Sequence, residues 1–270
     1  MGRRERILHG LDLKRATGVE IGPLANPIVS KTDGNIRYID YTDATALRTR
    51  YATDPNVDVT KIVDVDAVWG EKTMLEALGG QRVNYIIASH VIEHVPDLIT
   101  WLRELHTALL PAGEVRLVVP DKRYTFDYLR AETRLSDVVS AYLAGARVPQ
   151  PHEIIDFCVN KVDVDVVAAW QGKINPDDLQ RSFTFEGALW LARDVMNNGT
   201  YHDVHCWVFT PHSLASLCFE LAKVGLLDFA CNSFFVTEPN QLEFFVTLRK
   251  SSEREAIVQS WREMVRKTAY

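Results

Sequence analysis

Along the first half of the chain, short apolar runs alternate with stretches whose apolar positions recur at helical spacing, the pattern of strands joined by helical crossovers. Residues 17–21, ending at Gly22, read as a strand, and 36–39, closed by Asp40, as a second. A helix is predicted over 43–51, a third strand over 61–65 and a fourth over 84–88. Over 97–110, Leu98, Trp101, Leu102, Leu105 and Leu109 share one helical face, and Pro111-Ala112-Gly113 marks the helix stop. A fifth strand, 114–119, runs into Pro120.

Beyond Asp121 the pattern changes. Helical spacing over 128–144, 153–159 and 177–196, with no buried strand between, predicts a helical insertion or lid over 122–200. Its aromatic residues, Trp170 and Trp190 among them, are expected to form a small core of its own. Residues 201–209 return the chain to the sheet. Thr210-Pro211 then opens a helix to 224, with Thr210 as its cap and Pro211 at its first position. Strands over 228–237 and 241–248, linked by Glu238-Pro239-Asn240, form an antiparallel hairpin. Residues 251–270 read as an exposed amphipathic helix, a candidate homodimer contact. The prediction is one α/β domain over 1–270: a Rossmann-like, seven-stranded, mostly parallel sheet with an antiparallel terminal hairpin and a helical insertion after the fifth strand.

Composition narrows the function. Hydrophobic residues make up 47% of 270, enough for a sizeable core. The net charge of −6 opposes a dedicated nucleic-acid-binding face. Four scattered cysteines with no CxxC pair point to reduced thiols. No apolar run approaches the ~20 residues of a membrane span, and the N-terminal stretch lacks the apolar segment of a signal peptide. A cytoplasmic, soluble protein is expected.

In a doubly wound sheet, ligands bind beyond the carboxyl ends of the strands. Glu20, two residues before Gly22, is placed to face a cofactor ammonium beside a tight turn. Asp40 is placed to accept ribose hydroxyls, and Asp64 or Asp66 to meet an adenine amino group. Each alone reads as a solvated loop carboxylate; three closing successive strands point to a nucleoside cradle.

His90-Val91-Ile92-Glu93-His94 is an HxxEH string, as in inverted zinc peptidases, which need both histidines on one helix face. Here a strand leads into His90 and Pro96 follows, so the segment reads as a strand-to-loop junction and no metal is expected. Glu93 and His94 are expected to orient the loop. In His202-Asp203-Val204-His205-Cys206-Trp207, extended alternation sets Asp203 and His205 on one side and His202 on the other. Two readings stay open: a substrate-facing His205 held by a neighbouring carboxylate, or histidines packed on Trp207. Lys122, Arg123 and Tyr124, after the fifth strand, suit either an anionic group on a substrate or a charged surface.

The segment from Ala88 to Asp97, then a helix, Leu110-Pro111-Ala112-Gly113 and a strand, resembles the fourth motif and following region of class I SAM-dependent methyltransferases. Glu20-Ile21-Gly22-Pro23 resembles their first motif. Pro120 to Asp127, PDKRYTFD, resembles a bacterial subgroup often associated with cell-surface glycan pathways. The resemblance spans 15–127 and, less closely, 201–250. It implies S-adenosyl-L-methionine as cofactor, held by Glu20, Gly22, Pro23, Asp40, Asp64, Asp66, Ser89 and His90, and methyl transfer to an O or N acceptor on a small molecule or glycan.

An acceptor still protonated near neutrality benefits from a general base. His205 is the first candidate, followed by His90 and Asp121, with Lys122, Arg123, Tyr124 and His202 on the substrate side. Two other classes share the fold: a non-catalytic binding protein and a methyltransferase of protein or RNA. The sequence also departs from the family pattern. Only Gly22 stands where two or three glycines are usual, and about thirteen residues separate Gly22 from Ile36, near the ~12-residue minimum for a parallel crossover. The first crossover helix is therefore expected to be very short or absent.

Overall fold

A computed structural model describes residues 1–269. Seven strands form one sheet: β1 Thr17–Ile21, β2 Asn35–Asp40, β3 Ala67–Val68, β4 Val83–Ser89, β5 Leu109–Pro120, β6 Phe229–Phe235 and β7 Glu243–Lys250, in the order β3-β2-β1-β4-β5-β7-β6. β1 to β5 are mutually parallel, and β7 runs antiparallel to both β5 and β6. Strands covered on both faces need apolar residues at every position. In β4, Tyr85, Ile86, Ile87 and Ala88 are all buried, with alternate residues entering opposite cores. Gly18 on β1 is dictated by this packing, since a Cβ there would lie 2.0 Å from the Tyr85 ring.

The helices are α1 Arg3–Ile7, α2 Ala44–Arg50, α3 Met74–Ala77, α4 Leu98–Ala108, α5 Leu135–Ala144, α6 Pro151–Asn160, α7 Val166–Trp170, α8 Phe185–Asn198, α9 Pro211–Lys223 and α10 Arg254–Thr268. Thr210 caps α9 by accepting the Ser213 N–H, with Pro211 at the first position, as expected. No helix joins β1 to β2. The connecting loop instead sends Ile28 and Val29 into the smaller core, beneath α1.

Several boundaries differ from the sequence reading. The third strand is not 61–65, which holds the end of a 3-10 turn over Val59–Lys61 and a loop, but the two-residue β3 at the sheet edge. α4 stops at Ala108 and β5 starts at once, with Ala112 at φ 57° and a register shift against β4 taking up the Pro-Ala-Gly turn. Residues 128–134 are not helical. α5 packs on α4, burying Val138 and Ala141 in the main core, so it belongs to the body of the domain. The remainder of the insertion has its own small core, built by Ile154, Phe157 and Cys158 of α6 with Ala188, Ala192 and Val195 of α8. Neither tryptophan joins it: Trp190 is 65% exposed, and Trp170 stacks on Tyr124.

α10 is not an exposed arm. Ile257, Trp261 and Met264 are buried against α9 and β6, and the Trp261 indole donates to the Phe229 carbonyl at 2.7 Å. Its apolar face is thus used within the chain, which removes the reason for reading it as a dimer contact. Among the described residues no helix is long and apolar enough to cross a membrane.

Candidate functional site

The strand order reverses between β1 and β4, so their carboxyl tips flank the crevice where such sheets bind ligands. Gly22 closes β1 at φ +64°, a left-handed conformation that favours glycine, and its N–H donates to the Ile39 carbonyl. A Cβ at Gly22 would face Val91, 3.6 Å away, so the two strand tips adjoin. Pro23 and Leu24 follow, with Leu24 itself at φ 44°.

The carboxylates of the expected cradle have different fates. Glu20 is buried and accepts the N–H groups of Ile28 (2.7 Å) and Val29 (3.1 Å); burial pushes its carboxyl above the usual range despite those bonds. It fastens the helix-free loop. Asp64 is exposed beside Arg48, and Asp66 accepts from the Tyr38 N–H and from Lys31, holding the β2 edge. Asp40 keeps the expected place. It is 5% exposed at the tip of β2, with Oδ1 accepting the Tyr41 N–H and Oδ2 unengaged. Burial raises its carboxyl to about 6. Ser89 accepts from Arg3 at 2.8 Å.

A cavity of about 290 Å³ opens at the tips of β4 and β5, lined by His90, Glu93, His94, Tyr124, Phe126 and His205, together with Val162, Asp163, Val164 and Val166 of the insertion. Glu93 sits in a 3-10 turn, Ile92–His94, that the chain enters through His90 at φ +54°. The Glu93 carbonyl accepts the N–H groups of Cys206 (2.7 Å) and Trp207 (3.1 Å), which ties the 201–209 segment to the β4 loop. The Glu93 side chain is fully buried, and neither carboxylate oxygen has a hydrogen-bond partner.

Histidines surround that carboxylate. His90 Nδ1 lies 3.6 Å and His205 Nε2 4.0 Å from Glu93 Oε1, and the His94 ring meets His205 edge-on at 4.7 Å. Each imidazole is held from behind by a further carboxylate: His90 Nε2 by Glu243 at 2.8 Å, His94 Nδ1 by Asp203 at 2.9 Å, and His205 Nδ1 by Asp127 at 2.6 Å. Burial works to raise Asp127, but His205 and Arg130 outweigh it and hold the carboxyl below its ordinary value. With Asp127 ionised, Nδ1 of His205 carries the proton and Nε2 is left open toward the cavity. Burial opposes the charging of His94, yet Asp203 and Glu93 raise its pKa.

One ion-paired path joins cavity and cradle. Arg50 donates to Asp203 Oδ2 at 3.1 Å and to the Tyr41 hydroxyl at 3.0 Å, one residue beyond Asp40.

Other expected residues stand apart from the open groups. Asp121 is fully buried, but its oxygens accept from the Arg123 guanidinium, the Arg123 N–H and the Thr237 hydroxyl, so it closes the turn after β5 and has no lone pair free to act as a base. Arg123 is engaged in the same pairing. Lys122 donates to the Tyr128 carbonyl, its pKa lowered by burial. His202 bonds Asp194 and does not line the cavity. Of the substrate-side residues, Tyr124 alone lines it, stacked flat on Trp170 with 4.2 Å between ring centres. The carboxylate that holds His205 is Asp127, while the adjacent Asp203 stands 2.9 Å from His94.

One central residue escaped the sequence reading, and another was given only a loop-orienting role. Asp127 closes the PDKRYTFD stretch directly after β5, a position that carried the signal. Glu93 gave none beyond the HxxEH string, because its isolation comes from burial.

Comparison with known proteins matches residues 13–222 to a family described as a methyltransferase domain. Among solved structures, the chain is similar to an S-adenosylmethionine dependent methyltransferase from Mesorhizobium loti, at 13% identity and TM-score 0.44, covering 92% of this chain and 99% of that one. It is similar to a SAM-dependent methyltransferase from Methanosarcina mazei at 14% identity and TM-score 0.42, over 92% and 98% of the two chains. The likeness to the CcbJ methyltransferase from Streptomyces caelestis, at 19% identity and TM-score 0.32, covers 45% of this chain and 53% of that one, about half its length. No curated protein matches the sequence.

Proposed function

The chain belongs to the methyltransferase-domain family, matched over 13–222, and from that premise we propose that it transfers a methyl group from S-adenosyl-L-methionine to an oxygen or nitrogen of a small molecule or glycan. The residues fit the cofactor at the switch point. Gly22 presents no side chain between the tips of β1 and β4, and Asp40 offers its free Oδ2 where ribose hydroxyls lie in nucleoside-binding sheets. With Glu20 tied to its loop and no crossover helix behind Gly22, the methionine moiety would rest on loop backbone rather than on a helix N-terminus. The buried Glu93 carboxyl stands at the cavity beside His90 and His205.

The Asp127–His205 pair carries the reading. Transfer from a sulfonium is an in-line displacement in which the sulfur leaves as a neutral thioether and needs no proton. The protein's tasks are to align the acceptor, exclude water and take the acceptor's proton. The open Nε2 of His205, its tautomer set by Asp127, can take that proton inside the cavity. Tyr124 and Phe126 give the wall an apolar face for a ring-shaped acceptor, and the net charge of −6 disfavours an RNA acceptor.

Incubation with methyl-labelled SAM and fractionated small-molecule and glycan extracts tests the proposal. Label should enter one acceptor class with the wild-type chain and be lost with His205→Ala. Transfer that persists in a folded His205→Ala variant removes His205 as base; transfer only to protein or RNA overturns the acceptor class.

A further inference from the structure

We propose that Glu93, His94 and His205 form a binding site for a divalent transition-metal cation, Zn²⁺ by preference, at the floor of the cavity. One ligand atom from each residue lies within 4.8 Å of the other two. With bonds of ~2 Å in a tetrahedral site, ligand atoms stand roughly 3.3 Å apart, so binding would draw these three together by up to about 1.5 Å. The Glu93 carboxylate is fully buried with both oxygens unpartnered. A buried carboxyl with no hydrogen-bond partner is costly, and a cation bound to its oxygens would remove that cost.

The His205 imidazole is prepared in the way metal-binding histidines are. His205 Nδ1 bonds Asp127, which fixes its tautomer and leaves Nε2 as its metal-facing atom, while the buried His94 Nδ1 stands 2.9 Å from Asp203 without a hydrogen-bond partner. The two segments bearing the ligands are also fixed to each other through the Glu93 carbonyl and the amides of Cys206 and Trp207. Two imidazoles and a carboxylate with a side open to a cavity is a donor set for Zn²⁺ and its neighbours; Mg²⁺ and Ca²⁺ favour oxygen-only sites. The HxxEH string therefore contributes its glutamate and second histidine, while His90, paired with Glu243, stands 3.6 Å away at the rim.

The cation's role rests on the proposed methyl transfer, although its binding does not. A hydroxyl coordinated at the open position becomes more acidic and gives its proton to solvent. Its oxygen then takes the methyl group, and the S–CH₃ bonding pair passes to sulfur. In the loaded protein His205 is a ligand, and the cation takes over the task assigned to the free imidazole.

The test uses the full chain, stripped with chelator and dialysed, titrated with Zn²⁺ by calorimetry and with Co²⁺ by visible absorption. One equivalent should bind at micromolar affinity or tighter, with the Co²⁺ bands of a four- or five-coordinate site. Glu93→Gln and His205→Ala should each weaken Zn²⁺ by about a hundredfold or more, since each removes a ligand outright. Circular dichroism and thermal melting of the same samples report folding separately, and S-adenosylhomocysteine binding is measured alongside. Absence of binding, Co²⁺ bands of a six-coordinate surface site, or unchanged affinity in the folded variants overturns the site. Zn²⁺ binding without S-adenosylhomocysteine binding instead refutes the cofactor reading and leaves the metal site standing.

Discussion

Asp40→Asn should make the protein more stable and a poorer binder at once. Burial lifts the Asp40 carboxyl from 3.8 to about 6. At about 1.4 kcal/mol per pH unit, the ionised form then costs the folded chain about 3 kcal/mol. Because the folded value is the higher one, the penalty is absent below pH 4, where the group is protonated in both states. It grows between pH 4 and 6 and is complete above. Asparagine removes the charge and keeps Oδ1 as acceptor for the Tyr41 N–H, though its new amide needs a partner, so a net gain of about 2 kcal/mol at pH 8 is expected. That corresponds to a rise in Tm of about 4–8 °C, against little change at pH 4. Calorimetry with S-adenosylhomocysteine at pH 8 should show more than about tenfold weaker binding, equivalent to about 1.4 kcal/mol, as a charged acceptor of ribose hydroxyls is lost. A variant that melts lower than wild type at pH 8, or that keeps full affinity, refutes the reasoning.

Asp127→Asn should release the His205 tautomer. ¹⁵N shifts of His205 in the wild type should report a proton held on Nδ1, and the variant a mixture of tautomers, with methyl transfer reduced about a hundredfold or more and S-adenosylhomocysteine affinity unchanged; a wild-type-like spectrum in the variant counts against the assignment. Trp261→Ala should destabilise the fold by about 3–5 kcal/mol, because it empties a fully buried site and removes the bond to the Phe229 carbonyl. Light scattering with thermal melting checks this: a variant of normal Tm and altered mass would restore α10 as an assembly arm.

The sheet was legible because its signal is local. Apolar runs for β1, β2, β4 and β5, the Pro111-Ala112-Gly113 turn and the Glu238-Pro239-Asn240 link each declare themselves within a few residues. β3 was not legible, since two edge residues cannot outweigh the apolar Ile62 and Val63 just before them. Nor was the burial of α10, because an amphipathic stripe does not say whether its partner is the same chain or another. At the site, His90, His205 and Asp40 stand at strand tips or in a polar cluster and could be picked out. The pairings Asp127–His205 and Asp203–His94 join positions far apart in sequence and follow from how residues 201–209 return to the loop after β4. Asp121 misled for the complementary reason: a carboxylate after a catalytic-edge strand can be consumed by its own neighbour, here Arg123.

The central claim is that S-adenosyl-methionine lies across the tips of β1, β2 and β4 with its methyl group directed at the His90–His205 cavity. A crystal structure with S-adenosylhomocysteine tests it most directly. Ribose hydroxyls should lie on Asp40 Oδ2, with backbone contact at Gly22 and the sulfur opening toward Glu93 and His205. Density for the ligand anywhere else, with that crevice vacant, would contradict it.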